Sequence, residues 1–119
     1  MYYKVVTVGL RSIVIYEHDL VTQYRVGEFV YPQLEHSKLF VFKDLHAAQT
    51  FASIELGVVY ECEVKNPSKF GFCSIFIRTS YILKGWKLRR QKKKFSNLQG
   101  RAPDGTVYAG AVKLVKEVV

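Results

Sequence analysis

Positive charge is concentrated in one stretch of the chain, between residues 84 and 101. This stretch carries eight cations and no carboxylate. The other residues carry ten cations and ten carboxylates, so the stretch accounts for the whole formal net charge of +8. A cationic run raises the local potential and concentrates polyanions, so its side chains are suited to neutralising phosphates. A solvated lysine-rich loop without a ligand is the alternative reading of the same residues.

Aromatic residues flank these cations along the chain. Tyr81 and Trp86 precede most of them, and Phe95 follows Lys94. An exposed ring can stack on a base while lysine and arginine contact phosphates, a combination that suits single-stranded nucleic acid. In the alternative, Tyr81 and Trp86 are core residues at the edge of a sheet. The predicted nucleic-acid-binding residues are Lys84, Trp86, Lys87, Arg89, Arg90, Lys92, Lys93, Lys94, Phe95 and Arg101.

A pair of carboxylates, Glu61 and Glu63, invites an acid–base hypothesis. Their spacing places both on one face of a strand, opposite Tyr60 and Cys62. If that face is solvated, the two are the polar side of a half-buried strand. They would then pair with Lys65 or with another cation across the sheet.

Histidine and cysteine spacing gives no support for a metal site. His18, His36 and His46 are far apart, and we expect His46 to lie on the surface of a helix. Cys62 and Cys73 could lie on neighbouring strands, so a disulfide stays open, although buried free thiols are favoured. We predict no bound metal and no cofactor, since the sequence contains no glycine-rich phosphate loop and no nucleophile motif.

One helix is predicted over residues 44–56, with Asp44 as the N-cap and Gly57 at the C′ position. Its apolar residues recur every three or four positions, and its alanines should let it lie close to a sheet, with Phe51 as the anchor. The members of this apolar face are Leu45, Ala48, Phe51, Ala52 and Leu56.

The rest of the chain is predicted to form a sheet. Residues 58–65 show the period-two alternation of a strand, and Pro32 ends a short strand that follows a turn at Gly27. Gly105 is expected to accept the positive φ of a turn. The other predicted strands cover residues 2–17 with a break at Gly9, 39–42, 70–78, the ambiguous stretch 80–90, and 106–118. Residues 84–105 would then form a basic arm or hairpin near the end of a single domain spanning 1–119.

A succession of short motifs runs through the first half of the chain: Tyr3-Lys4-Val5-Val6, Ser12, Tyr24-x-Val26-Gly27-Glu28, Leu39-Phe40-Val41-Phe42, Ala48…Phe51-Ala52 and Val59-Tyr60-Glu61-Cys62-Glu63-Val64. With these motifs the chain resembles a group of small phage- and virus-encoded proteins that have no agreed activity. The likeness covers about residues 2–65 and implies a viral or mobile-element origin more than a function. The order of elements is also distantly similar to ADP-ribosyltransferases of the rifampicin-modifying type, although Lys4-Val5-Val6 stands where those enzymes carry a His-Gly-Thr or Arg-Gly strand.

A second, shorter likeness involves Phe70-Gly71-Phe72, which partly resembles the RNA-stacking strand of RNA-recognition-motif and cold-shock domains. Ser68, Lys69 and Ile75 depart from that pattern. A core strand containing Phe72 is the alternative reading of the same residues.

Together these observations predict an α+β domain in which a bent, mostly antiparallel sheet of about six to eight strands packs against one helix. The predicted role is that of a small viral or phage-type accessory protein that binds DNA or RNA non-specifically. The chain is expected to be intracellular, in the host cytoplasm if viral, because it has neither an 18-residue apolar run nor a signal sequence. We expect no membrane contact, and a homodimer stays open.

Two alternative functions remain. One is an ADP-ribosyltransferase-like enzyme or NAD-binding relic, with Glu61 or Glu63 as the carboxylate beside a dinucleotide. The other is an inhibitor that docks its basic surface on an acidic host protein.

Overall fold

Six strands and one helix are present in the computed structural model, which describes residues 1–12, 22–33, 38–69 and 105–118. Every pairing between these strands is antiparallel, and they make one six-stranded sheet. The prediction of an α+β domain with one helix on a mostly antiparallel sheet is therefore confirmed for the described residues. The elements are β1 (Tyr2–Val6), β2 (Phe29–Val30), β3 (Leu39–Phe42), α1 (Leu45–Glu55), β4 (Val58–Lys65), β5 (Thr106–Ala109) and β6 (Ala111–Val118).

The sheet closes on itself because β5 and β6, which pair with different strands, are joined by the single residue Gly110. The strand order is β2-β6-β4-β1-β3-β5, and β5 continues into β6 through Gly110. Strands β1, β4, β6, β5 and β3 thus form a closed ring, as in a small barrel, and the bend at Gly110 links β6 to β5. The amide of Gly110 donates to the carbonyl oxygen of Lys65 at 2.8 Å, and a Cβ at this position would lie 3.4 Å from that oxygen. The prediction of one strand over residues 106–118 missed this bend.

Apolar side chains fill two layers, one on each face of β1. Val6 lies in the inner layer with Val41, Cys62 and Leu114, all nearly inaccessible to solvent. Val5 points to the opposite face and lies in the layer beneath α1. A strand buried on both faces explains why Lys4 is the only charged residue of Tyr2–Val6.

The helix begins and packs as the sequence predicts. The carboxylate of Asp44 accepts a hydrogen bond from the amide of Ala47 at 3.2 Å, which satisfies one free donor of the first turn. Ala48 and Ala52 are buried against the sheet, and the ring of Phe51 lies 5.4 Å from that of Phe42. The small alanine side chains let the helix approach the sheet closely.

The end of the helix differs from the prediction. Leu56 was expected on the apolar face, but it is 86% exposed and takes the left-handed conformation, with φ 57°. The left-handed residue that ends the helix is therefore Leu56, one residue before the expected Gly57. The amide of Gly57 closes the end by donating to the carbonyl oxygen of Ala52 at 2.9 Å.

The predicted turns lie where they were expected. Gly27 has a φ of 87° and leads into β2, which ends before Pro32, and Gly105 has a φ of 82° just before β5. A turn through Gly9 follows β1. The predicted strand 70–78, the stretch 80–90 and most of the basic arm 84–105 lie outside the described residues, as do residues 13–17 of the first predicted strand.

Candidate functional site

The basic segment predicted from the sequence lies outside the described residues. This applies to the whole predicted set, so its contact with nucleic acid stays a prediction: Lys84, Trp86, Lys87, Arg89, Arg90, Lys92, Lys93, Lys94, Phe95 and Arg101.

A second group of lysines and aromatic rings lies on the outer face of the sheet, around the edge strand β2. Phe29 pairs with Lys113 of β6, while its neighbour Val30 packs against the inner layer. Alternation along β4 places Glu63 and Lys65 on the outer face, because Cys62 and Val64 point inward. We call the outer group formed by Phe29, Tyr31, Lys65 and Lys113 the aromatic–lysine surface.

The ammonium group of Lys65 holds the aromatic–lysine surface together. Its Nζ lies 4.4 Å from the ring centroid of Phe29 and 5.5 Å from that of Tyr31, and it donates to the Tyr31 hydroxyl at 3.0 Å. The Nζ of Lys113 lies 5.1 Å from the centroid of Phe29. These cation–π contacts orient two rings and two cations on one exposed face, and Tyr31 remains 57% exposed.

The carboxylates of β4 neutralise part of this face. Glu63 forms an ion pair with Lys113 at 2.8 Å, and Glu61 lies 3.9 Å from the ammonium of Lys116. Of the alternatives that the sequence left open for Glu61 and Glu63, the structure shows pairing with cations across the sheet, and β6 supplies both lysines. Lys65 has no carboxylate partner within the described ranges.

A different set of polar groups is buried inside the ring of strands. Lys4 is 7% exposed, its Nζ donates to the carbonyl oxygen of Phe40 at 2.6 Å, and it lies 5.2 Å from the ring centroid of Tyr24. The Lys4 ammonium thus ties β1 to β3, whose ladder contains a single residue pair. Burial lowers the pKa of Lys4 to about 8, an effect that neighbouring Cys62 offsets only in part.

The two acidic groups near Lys4 are held in their neutral forms. Burial raises the pKa of the Cys62 thiol to about 12, against the opposing effect of Lys4, so the group is a thiol at neutral pH and a weak nucleophile. Burial likewise raises the pKa of Tyr24, and the Ser12 hydroxyl offsets part of this. The Tyr24 hydroxyl nevertheless reaches hydrogen-bond geometry with no group in the described part of the chain.

Histidine and cysteine lie largely as the sequence suggests. His46 is exposed in the first turn of α1, and Cys62 is a buried free thiol. His18, His36 and Cys73 lie outside the described residues, so the disulfide alternative stays open. Among the residues that the structure describes, no group of three or more potential ligands could hold a metal ion. No helix in these ranges is long and apolar enough to cross a membrane.

Sequence reasoning missed both the aromatic–lysine surface and the buried lysine. Tyr31 and Lys65 are 34 positions apart and meet only through the pairing of β2, β6 and β4. A signal for Lys4 did exist. Lys4 shares a strand face with Tyr2 and Val6, and apolar residues precede and follow it in the sequence. A lysine at such a position buries the methylene groups of its side chain.

No family model matches the chain, and neither a curated protein nor a solved structure is similar enough to count as a match.

Proposed function

We propose that the protein binds nucleic acid through phosphate contacts made by the basic segment 84–101. The observation that carries the proposal is the charge distribution, since this one segment holds the whole net charge of +8 while the rest of the chain is balanced. Contacts to phosphates supply affinity without reading sequence, so the binding is non-specific. The resemblance to phage- and virus-encoded proteins is the source of a further hypothesis, that the protein is an accessory factor acting in a host cytoplasm.

The outer face of the sheet supports this proposal independently of the segment. It presents exposed lysine and aromatic side chains, with Lys65 free of any described carboxylate. If one strand spans both cationic zones, the linked weak contacts bind it more tightly than either zone alone.

The salt dependence of binding tests the proposal. With about five phosphates neutralised, log affinity for a fluorescently labelled 20-mer should fall with log salt at a slope of about −3.5 for a single strand and about −4.5 for a duplex. Replacing Lys92, Lys93 and Lys94 by alanine should make the slope shallower by roughly two to three units. A control variant removes two exposed lysines outside the segment, Lys43→Ala and Lys69→Ala, and should leave the slope unchanged. Absence of binding at low salt, or an unchanged slope in the triple variant, would contradict the proposal.

Binding to an acidic host protein is the main alternative, and nuclease treatment separates it from nucleic-acid binding. Partners captured from a lysate should be lost after nuclease digestion if nucleic acid bridges them, and kept if the contact is direct. The ADP-ribosyltransferase alternative predicts heat on titration with NAD. No feature of the described ranges favours it, because Glu61 and Glu63 lie on the outer face beside lysines.

A further inference from the structure

The aromatic–lysine surface has a composition that one class of ligand matches. Phe29 and Tyr31 are two residues apart on the edge of the sheet, so their side chains project from the same face at a spacing of about 7 Å. The adjacent Lys65 ammonium contacts both rings and has no carboxylate partner among the described residues. A ligand that complements this surface must present flat π faces and negative charge at alternate positions along its length.

We infer that the aromatic–lysine surface is a second nucleic-acid site, specific for single strands, in which a base stacks on the exposed ring of Tyr31 while Lys65 contacts the adjoining phosphate. The inference rests on the proposed function and deepens it by naming the form of nucleic acid. Stacking on aromatic rings is tolerant of base identity, because every base has a π face.

The alternatives to a single strand fit the surface less well. A duplex offers phosphates to Lys65, but its bases are stacked on each other and cannot reach the ring of Tyr31. An acidic peptide would pair with Lys65 but would leave two aromatic rings without a matching planar partner. Glu63 pairs with Lys113, whereas Lys65 has no carboxylate partner among the described residues, so the Lys65 ammonium can contact a phosphate.

Tyr31 is the residue on which the test depends. It is 57% exposed and lies beyond the end of β2, so its replacement should not disturb the core. Tyr31→Ala should weaken binding to single-stranded oligo(dT) and oligo(U) 20-mers by roughly 5- to 100-fold, the range seen for loss of one base–ring stack. Tyr31→Phe keeps the ring and loses only the hydroxyl that accepts from Lys65, so it should bind within about twofold of the parent protein.

The matched measurement uses a duplex 20-mer and the same full-length variants. Tyr31→Ala should leave duplex affinity unchanged, because a duplex has no unstacked base to lose. Lys65→Ala should reduce the salt slope for single strands by about 0.7, the contribution of one phosphate. Lys43→Ala, an exposed lysine on the connection to α1, serves as the control and should retain the parent affinity for oligo(dT).

The outcomes separate this inference from the proposed function. Selective loss of single-strand binding in Tyr31→Ala, restored in Tyr31→Phe, supports the inference for DNA, RNA or both. Equal binding of single strand and duplex, unaffected by Tyr31→Ala but weakened by the triple lysine variant, overturns the inference and leaves the proposed function standing. Absence of binding to every oligonucleotide at low salt overturns both.

Discussion

Lys4 shows how one buried side chain couples the fold to pH. Its ammonium is enclosed by the strands and hydrogen-bonded to Phe40, and burial lowers its pKa to about 8. In the unfolded chain the same amine has its ordinary pKa of 10.5. Between these values the unfolded state binds more protons than the folded state, so the free energy of unfolding rises with pH. Over the whole interval between the two pKa values, the Lys4 amine alone raises the free energy of unfolding by roughly 3 kcal/mol.

Two neighbouring groups act in the opposite direction, and together with Lys4 they define a pH profile. The pKa of Cys62 is raised from 9.0 to about 12, and that of Tyr24 is raised from 10.0, so each favours unfolding once the pH exceeds its unfolded value. We expect the free energy of unfolding to rise by about 0.5 kcal/mol from pH 8 to 9, to level off, and to decline above pH 10. Urea denaturation at pH 7.5–11 measures this profile.

Variants of Lys4 and Cys62 show which group causes the rise in stability with pH and which causes the decline. Lys4→Met removes the amine, so stability should show no rise from pH 8 to 9. Cys62→Ala should extend the rise towards pH 10, although it costs core packing at every pH. A parent protein whose stability is flat from pH 8 to 9 would show that the Lys4 amine is not desolvated as the structure describes.

The Tyr24 hydroxyl is a second residue whose removal has a clear expected sign. It is buried without a hydrogen bond in the described part of the chain, and an unsatisfied buried hydroxyl costs about 1–3 kcal/mol. Tyr24→Phe should therefore raise the free energy of unfolding by about 1 kcal/mol, while the exposed Tyr31→Phe changes it little. Urea denaturation at pH 7 compares the two. A loss of stability in Tyr24→Phe would mean that the hydroxyl has a partner.

At the scale of elements, the C-terminal end of α1 contains backbone strain that a substitution can release. Leu56 has a φ of 57°, a conformation that favours glycine, and its side chain is 86% exposed. Leu56→Gly should raise the free energy of unfolding by about 0.5–1 kcal/mol, since it relieves strain and removes little packing. Leu56→Ala keeps a Cβ and should show no such gain. Thermal unfolding followed by circular dichroism measures both, and equal effects of the two variants would contradict this account.

The elements that could be predicted from the sequence are those with a local cause. Residues 39–42 and 58–65 form strands, and α1 follows the N-cap Asp44, because alternation, helical spacing and capping act within a few positions. The bend at Gly110 depends on the approach of the Lys65 carbonyl, 45 positions earlier in the chain, so no local pattern marks it. Leu56 was wrongly predicted to lie on the apolar face of the helix, because helical spacing cannot distinguish the last apolar position from the C-terminal cap.

The candidate site likewise has one part with a local sequence signal and one part that depends on the fold of the whole molecule. The run of cations at residues 84–101 is visible from composition alone, whereas the aromatic–lysine surface requires the order β2-β6-β4 that brings Tyr31 to Lys65. Strand order is a property of the closed sheet, which local periodicity does not determine. If both zones bind nucleic acid as proposed, one strand that spans them would bind more tightly than either zone alone.

Ligand-linked stability provides a whole-molecule prediction that follows from this charge distribution. A ligand that binds only the folded state stabilises it by about 2.7 kcal/mol when its free concentration is 100 times its Kd. For a chain of 119 residues that free energy corresponds to a rise in Tm of roughly 10 °C. An oligo(dT) 20-mer at that excess should therefore raise Tm by this amount in about 50 mM salt. Because the proposed binding depends on phosphate neutralisation, we expect the shift to disappear in 0.5 M salt, where affinity would be lower by a factor of about 10³–10⁴.

Heparin serves as the control for that thermal shift, because it carries negative charge but no bases. It should raise Tm through the basic segment, and the shift should be the same in the parent protein and in Tyr31→Ala. With oligo(dT) the variant should show the smaller shift at equal ligand concentration, because its affinity is lower. A shift that persists in 0.5 M salt would indicate apolar binding, and a bound oligonucleotide that leaves Tm unchanged would indicate equal affinity for the unfolded chain. Either result would contradict the proposal that the folded chain binds nucleic acid through its positive charge.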